Sequence, residues 1–531
     1  MTGSFLVAVL AGLVALALIA KRLRVPYPVV FVIGGLVVAL LPHVPAIELR
    51  PDVVFLLFLP PLIFGDGWTT DYRSFKRYAR PIFMLAIGLV AFTSVVVAYV
   101  AHWVIGVPLA VGFVLGAVLS PTDAVAADAI AEEVGLPKRL MTLIGGESLV
   151  NDATALVIYA FAITAVATGS FAPLAAAVQF VYVVVAGVGI GLAGAWLIAR
   201  FTIAVRAAGL TDPVIAVSIS LVTPFALYVP ADAVHASGVL AAMSGGIYLS
   251  RKSSRIFDAE SRLAAGGVWN LLFFVFNGAA FVLIGMQLRT IVRGLAPYAL
   301  GTLIGWSLLI AAVVVIVRYV WMIPATYIPR MLFPGIRRRE GPDPPLTWVL
   351  VLSTAGMRGI VSLAAALAIP ETIAPGVAFP GRDLILFVTF VVILVTLVGE
   401  GLALPLLIRR WDVVDSEDEG PLVAAARVRV ADAARERLRA LEPTFDSPAA
   451  WEVAGRLNAG YEQRSAHFAA HAHGSATDDD AQLHAIERRL RLETHAAERA
   501  ALQAMRRTGE ISDGAYRQLE WELDLADSQL E

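Results

Sequence analysis

The 531-residue chain contains no cysteine and little charge. Without thiols, disulfides, thiolate metal centres and cysteine nucleophiles are all excluded. Asp, Glu, Lys and Arg make up only 16% of the residues, against roughly 25% in soluble domains. Hydrophobic residues account for 58%. A single soluble domain is excluded on composition and also on length, because domains cluster near ~100–150 residues. The formal net charge of −2 hides a division. Residues 1–410 hold 27 Lys+Arg against 19 Asp+Glu, a net of +8, and residues 411–531 hold 14 against 24, a net of −10. The two parts are built for different surroundings.

A membrane-crossing helix needs about 20 mostly apolar residues, and about thirteen such stretches are present. They begin near Phe5, Val29, Val53, Ile82, Leu109, Leu140, Leu174, Val214, Ser237, Asn270, Leu300, Trp348 and Leu384. Ser4 to Ala20 is not a cleaved leader on this reading. It has no basic start and no small-residue cleavage site, and Lys21, Arg22 and Arg24 follow it directly. With the N-terminus outside, the inside connections hold 21 basic residues and the outside ones four: Arg50, Arg289, Arg293 and Arg382. That bias is a strong positive-inside signal. The expected fold is an all-α polytopic membrane domain over residues 1–410. An acidic, mostly helical cytoplasmic tail follows over residues 411–531.

Charges in hydrocarbon cost ~2.5–3.5 kcal/mol each on insertion scales, so those within the apolar stretches ask for a reason. Most lie between Leu115 and Val157. Pro121, in Ser120-Pro121-Thr122-Asp123, removes a backbone donor in mid-span and disfavours helix at Ser120. The freed carbonyls are tolerated at that depth only in a polar cavity or inside protein. On the next helix Ser148 and Asp152 share a face, and Glu147 and Asn151 share the face one step around. Hard oxygen donors of this kind suit a proton or a small alkali cation. Ser148 and Asn151 alone would read as interhelical glue. Asp152 beside a broken helix reads as function. Glu147 can pair with one of the two buried arginines, Arg318 and Arg358, and so can Asp123. Gly356 and Gly359 flank Arg358 and weaken that helix too. The fifth and twelfth stretches are therefore both interrupted, and if the seventh links two six-helix halves they occupy matching positions. This is the signature of a secondary transporter with inverted repeats and crossed, broken helices.

At these residues the chain resembles the sodium/proton exchangers of the first cation:proton antiporter family. The resemblance rests on Pro26-Tyr27-Pro28, Phe58-Leu59-Pro60-Pro61-Leu62-Ile63-Phe64, Ser120-Pro121-Thr122-Asp123, Gly146-Glu147-Ser148-Leu149-Val150-Asn151-Asp152, His235-Ala236-Ser237-Gly238-Val239-Leu240-Ala241, Phe276-Asn277-Gly278 and Gly356-Met357-Arg358-Gly359. It runs from about residue 4 to 410 and leaves out the tail. It implies a plasma-membrane homodimer that is not an enzyme, needs no cofactor and binds no nucleic acid. It also implies electroneutral exchange of one monovalent cation, sodium before lithium or potassium, for one proton. Asp152 would hold either ion. Ser148, the Thr122 carbonyl and, through water, Asp123 would complete the site, with Asn151 beside it. Among the buried charges, Glu147 is assigned to Arg318 and Arg358 to the crossed helices near Asp123, with the swapped pairing as the alternative. One position departs from the family pattern. Gly65 stands where an acidic residue usually follows Phe64, and Asp66 comes one residue later, turned by ~100°, where flanking glycines could let it reach the ion site or where it would serve only at the funnel mouth. Glu400 has no counterpart role.

The rival within the class is a potassium/proton antiporter with the same residues. Outside it, a cation channel or a membrane sensor would need a continuous pore or an enzymatic tail. Intramembrane proteolysis lacks a Gly-x-Ser-x-Gly element, and His102 and His235 sit too near helix ends to serve a central serine. In the tail, His467, His471 and His473 near Asp478–Asp480 could hold a metal, but solvated histidines near acids are usually plain surface. The tail could gate transport, pair with its copy or bind a regulatory partner.

Overall fold

A computed structural model of the chain describes all residues except 1–2, 43–54, 128–134, 171–172, 211, 294–298, 375, 414–419, 473–477, 509 and 529–531. It divides into two compact units, Met1–Asp415 and Ser416–Glu531.

The first unit is helical: α1 (Gly3–Leu23), α2 (Tyr27–Leu40), α3 (Leu59–Thr69), α4 (Ala79–Ile105), α5 (Leu109–Leu119), α6 (Lys138–Thr168), α7 (Pro173–Ala207), α8 (Pro213–Ala233), α9 (Gly238–Ser250), α10 (Ala259–Met286), α11 (Leu300–Leu332), α12 (Leu346–Thr354), α13 (Ile360–Leu367) and α14 (Arg382–Arg410). Among the described residues, eight helices are long and apolar enough to cross a membrane. Of the other expected stretches, the first falls on the continuous 21-residue α1, the one near Val53 begins outside the described residues, and the rest fall on helices that are short or interrupted. The one departure from an all-α unit is a small hairpin, in which β1 (Thr372–Ala374) pairs antiparallel with β2 (Val377–Ala378). Three- and two-residue strands carry no periodicity that a sequence could show.

The apolar residues face two ways. Of the most apolar window of α14, 72% is buried, against 17% for α7. On α7, Leu174, Val178, Val181 and Val185 form an exposed apolar stripe, and Leu308, Ile316 and Val320 are exposed on α11. Surface of that kind belongs against lipid. The chain is a multi-pass membrane protein.

Small residues set how closely the helices approach. A Cβ on Gly67 of α3 would lie 2.6 Å from the Met243 carbonyl oxygen, and one on Gly246 of α9 would lie 2.6 Å from the Phe64 carbonyl oxygen. The α3 and α9 backbones therefore touch directly, which fixes the rotation of α3 about its axis.

The second unit comprises α15 (Gly420–Leu441), α16 (Pro448–Ala472), α17 (Asp478–Thr508) and α18 (Asp513–Ser528). Arg427 stacks over the Phe468 ring at 4.7 Å, and Ser465 donates to Asp432 at 3.1 Å, joining α15 to α16. Arg499 joins α17 to α18 through Asp524 and Asp527, at 2.6 and 2.5 Å. The side chains of His467, His471 and His473 lie outside the described residues. The histidine that does find an acid is His495, whose Nδ1 lies 2.5 Å from Asp527.

Candidate functional site

Two broken helices meet at the site. α5 ends at Leu119, residues 120–123 are non-helical around Pro121, and helix resumes at Ala124. Likewise α12 ends at Thr354, and α13 begins only at Ile360. At the crossing, the Asp123 amide donates to the Met357 carbonyl at 2.7 Å. The backbone groups released by each break are used by the other.

The glycines around Arg358 do more than weaken a helix. A Cβ on Gly356 would sit 2.5 Å from Cδ of Arg318, and one on Gly359 would sit 1.5 Å from Oδ2 of Asp123. Each leaves the space that a charged side chain at the crossing occupies.

Glu147, on α6, and Arg318, on α11, form a fully buried two-pronged ion pair. Nη1 of Arg318 meets Oε1, and Nη2 meets Oε2 at 2.9 Å. Nη2 also donates to the Leu352 carbonyl at 3.1 Å. Burying such a pair is tolerable when most of its remaining donors and acceptors are satisfied; Nε of Arg318 alone of the pair's polar atoms finds no partner among the described residues. Thr122 helps here, donating its hydroxyl to Oε1 of Glu147 at 2.9 Å. Asn151 in turn donates from Nδ2 to the Thr122 hydroxyl at 2.9 Å and to its carbonyl at 3.1 Å. Arg318, Glu147, Thr122 and Asn151 thus form one buried chain, which holds the broken α5 against α6. The amide of Asn151 is spent on Thr122 rather than on its neighbour Asp152.

Arg358 is placed differently from the expectation. Its Nε donates to the Leu119 carbonyl at 3.1 Å and its Nη1 to the Gly356 carbonyl, so it ties down free carbonyls of both breaks. No ion pair with Asp123 forms. Asp123 takes hydrogen bonds from the Val125 amide at 2.9 Å, and from the Ala126 and Ile360 amides. It caps the N-termini of both resumed helices at once. Orphan amides at helix starts favour a carboxylate, which is why Asp123 needs no arginine.

A cavity of about 40 Å³ opens beside this crossing. It is lined by Asp66, Thr122, Asp123, Ser148, Asp152 and Ser362, with Asn277 and an apolar wall of Leu59, Leu62, Ile63 and Phe281. A water needs only ~10–15 Å³ measured this way, so a dehydrated alkali cation with a water or two is accommodated. Ser148 also accepts from the Ala124 amide at 3.3 Å. Asp152 is buried at 6% exposure, and no hydrogen bond or ion pair to it is seen among the described residues. No basic side chain lines the cavity among the described residues.

Asp66 reaches this cavity because Gly65 cannot carry a side chain as the helices are packed. A Cβ there would lie 2.0 Å from the Phe273 ring. The acidic position has moved one residue, and the close α3–α9 contact turns that residue inward. Sequence reasoning gave no role to Ser362 or Asn277. Asn277 stands in a quoted motif, but Ser362 carries no signal beyond its nearness to the second break. Glu400, on α14, is buried near Arg318 and Arg358.

Comparison with known proteins agrees with this architecture. The family model for the transmembrane sodium/hydrogen exchanger matches residues 5–410. The sodium, potassium, lithium and rubidium/H+ antiporter of Bacillus pumilus is 34% identical over 448 residues. That match covers 81% of this chain and 66% of the relative, so the chain spans just under two thirds of that protein's length. A Na+/H+ exchanger of Escherichia coli strain K12, YjcE, is 32% identical over 99% of this chain and 98% of its own length, tail included. The sodium proton antiporter MjNhaP1 of Methanocaldococcus jannaschii, 18% identical, shares the fold with a TM-score of 0.57 over 76% of this chain and 98% of its own. The chain belongs to the sodium/hydrogen exchanger family, whose members are transporters rather than enzymes.

Proposed function

We propose that this protein exchanges one monovalent cation for one proton, electroneutrally, at Asp152. One observation carries the reading: a carboxylate without counter-ion faces a small oxygen-lined cavity beside two crossed, broken helices. A bare carboxylate in a low-dielectric site is costly, and either a proton or a dehydrated cation relieves that cost. Both cannot occupy it together. Only the neutralised site crosses cheaply between inward- and outward-facing states, and this couples the two ions without net charge movement. The switch is driven by differential binding in the two states.

On this reading Ser148, Thr122 and Asp66 supply further oxygens, and Asp123 acts through water. Thirteen spans, inverted repeats, an outside N-terminus, a cytoplasmic tail and a plasma-membrane homodimer complete it. The tail regulates transport or binds a regulatory partner. Sodium is the first cation, and the Bacillus pumilus relative's range of sodium, potassium, lithium and rubidium supports a broader set.

The test is the purified protein in liposomes with an internal pH dye. Adding sodium, lithium, potassium or rubidium should dissipate a proton gradient, and Asp152→Asn should abolish the signal. Retained flux in that variant overturns the assignment. A current across planar bilayers under a sodium gradient overturns one-for-one coupling.

A further inference from the structure

We propose that Glu400 is the counter-ion of Arg358, completing a buried set of two arginines and two glutamates that balances itself and leaves the Asp152 cavity without a cation. Glu400 is 7% exposed, and both of its carboxylate oxygens are buried with no hydrogen-bond partner among the described residues. Such a group is rare and needs an explanation in the field of its neighbours.

Geometry supplies the neighbours. Glu400 lies one helical turn beyond Thr396 on α14, on the same face. Thr396 Oγ1 accepts the Arg358 amide at 3.3 Å, so that face of α14 looks directly at the second break. Arg358 is 1% exposed and directs its described hydrogen bonds at backbone carbonyls, which leaves its full positive charge uncompensated by them. Helices α2 and α5 also pack on α14 and carry no charged residue, and the short helix Leu288–Arg293, with Arg289 and Arg293, packs there too. The guanidinium groups of Arg318 and Arg358 are the cations whose fields reach Glu400. Arg318 is already held by both oxygens of Glu147. Arg358 is the one left over, because Asp123 is satisfied by three helix-start amides.

This assignment explains how the core can hold two arginines close to the transport site without either neutralising Asp152. If Glu400 did not balance Arg358, the extra positive charge would oppose any cation entering the cavity. That consequence rests on the transport reading above, whereas the pairing itself does not.

The experiment is a double-mutant cycle on the full-length protein, with Glu400→Gln, Arg358→Met and the pair combined. Thermal unfolding in detergent tests the pairing alone. Each single variant should lower the midpoint, and the double variant should recover much of the loss, because removing both charges leaves none unpaired. Losses that simply add in the double variant overturn the pairing. Cation-dependent proton flux in liposomes tests the consequence. Glu400→Gln should raise the apparent KM for sodium roughly tenfold with a smaller change in maximal rate. Glu400→Asp and the double variant should both move it back toward the wild-type value. An unchanged KM in Glu400→Gln, or one that the double variant does not restore, overturns the electrostatic role. If Glu400→Gln does not fold, Glu400→Asp and the double variant still decide the question through the same midpoint and KM.

Discussion

The amide nitrogen of Asp123 donates to the carbonyl oxygen of Met357 at 2.7 Å, which ties the first broken helix to the second across their crossing. The carboxylate of the same residue caps the helix that restarts at Ile360. A proline break and a glycine-flanked break therefore form one joint rather than two independent weak points. Gly359 is the residue that permits it.

Gly359→Ala should accordingly disable transport. The added methyl would lie 1.5 Å from Oδ2 of Asp123, so either the carboxylate or the α12–α13 connection must shift. A misplacement of about 1 Å in a preorganised site costs on the order of a hundredfold in rate. Dye dequenching in liposomes should show that loss, with helical content by circular dichroism close to wild type. Normal flux would mean that the joint is more compliant than its packing indicates.

Glu147→Gln should be a stability mutation first. It leaves Arg318, at 1% exposure, with a neutral partner in place of a two-pronged carboxylate. Breaking one side of a buried ion pair costs about 3–5 kcal/mol. Thr122 also loses its charged acceptor, so the chain through Asn151 loosens at the site itself. Thermal unfolding should show a large drop in midpoint. Arg318→Met combined with Glu147→Gln should recover part of it.

Asp66→Asn should weaken cation binding more than it slows turnover. Asp66 lines the cavity together with Asp152 but lies outside the buried Arg318–Glu147–Thr122–Asn151 chain. Removing one carboxylate from a cavity with no basic lining should raise the apparent KM for sodium by roughly tenfold. A further variant tests the displaced register. Gly65→Asp should be poorly tolerated, and combining it with Phe273→Ala should restore expression, because that ring occupies the space the side chain needs.

The long apolar helices and both breaks were legible because they rest on local chemistry: apolar length, a mid-span proline and glycines around a charge. The Glu147–Arg318 contact was legible as one of few available pairings of buried charges. Arg358 was not, because sequence shows that a buried cation needs a partner but not that three backbone amides can satisfy Asp123 without it. Asp66 was undecidable for a similar reason. Its orientation depends on the axial rotation of α3, which glycine contacts with α9 set across almost 180 residues of sequence. Ser362 and the short β1–β2 hairpin left no pattern to read.

The tail hairpin of α17 and α18 should open in acid. Hydrogen bonding from His495, and then from Arg499, holds the Asp527 carboxyl below the usual carboxylate range. A carboxyl lowered in the fold stabilises it above its unfolded value, which is ~3.9 for aspartate, and that contribution is lost as pH falls through the folded value. The hairpin should therefore be intact from neutral pH down to about 4 and loosen below it. The group is only partly buried, so the effect is modest and weakens with added salt. Hydrogen exchange on the full-length protein, corrected for intrinsic rates, should show protection in α17 and α18 falling as the pH drops below about 4. In Asp527→Asn the same amides should start less protected and change little over that interval. Protection that falls equally in both proteins would place the acid-sensitive contact elsewhere in the hairpin.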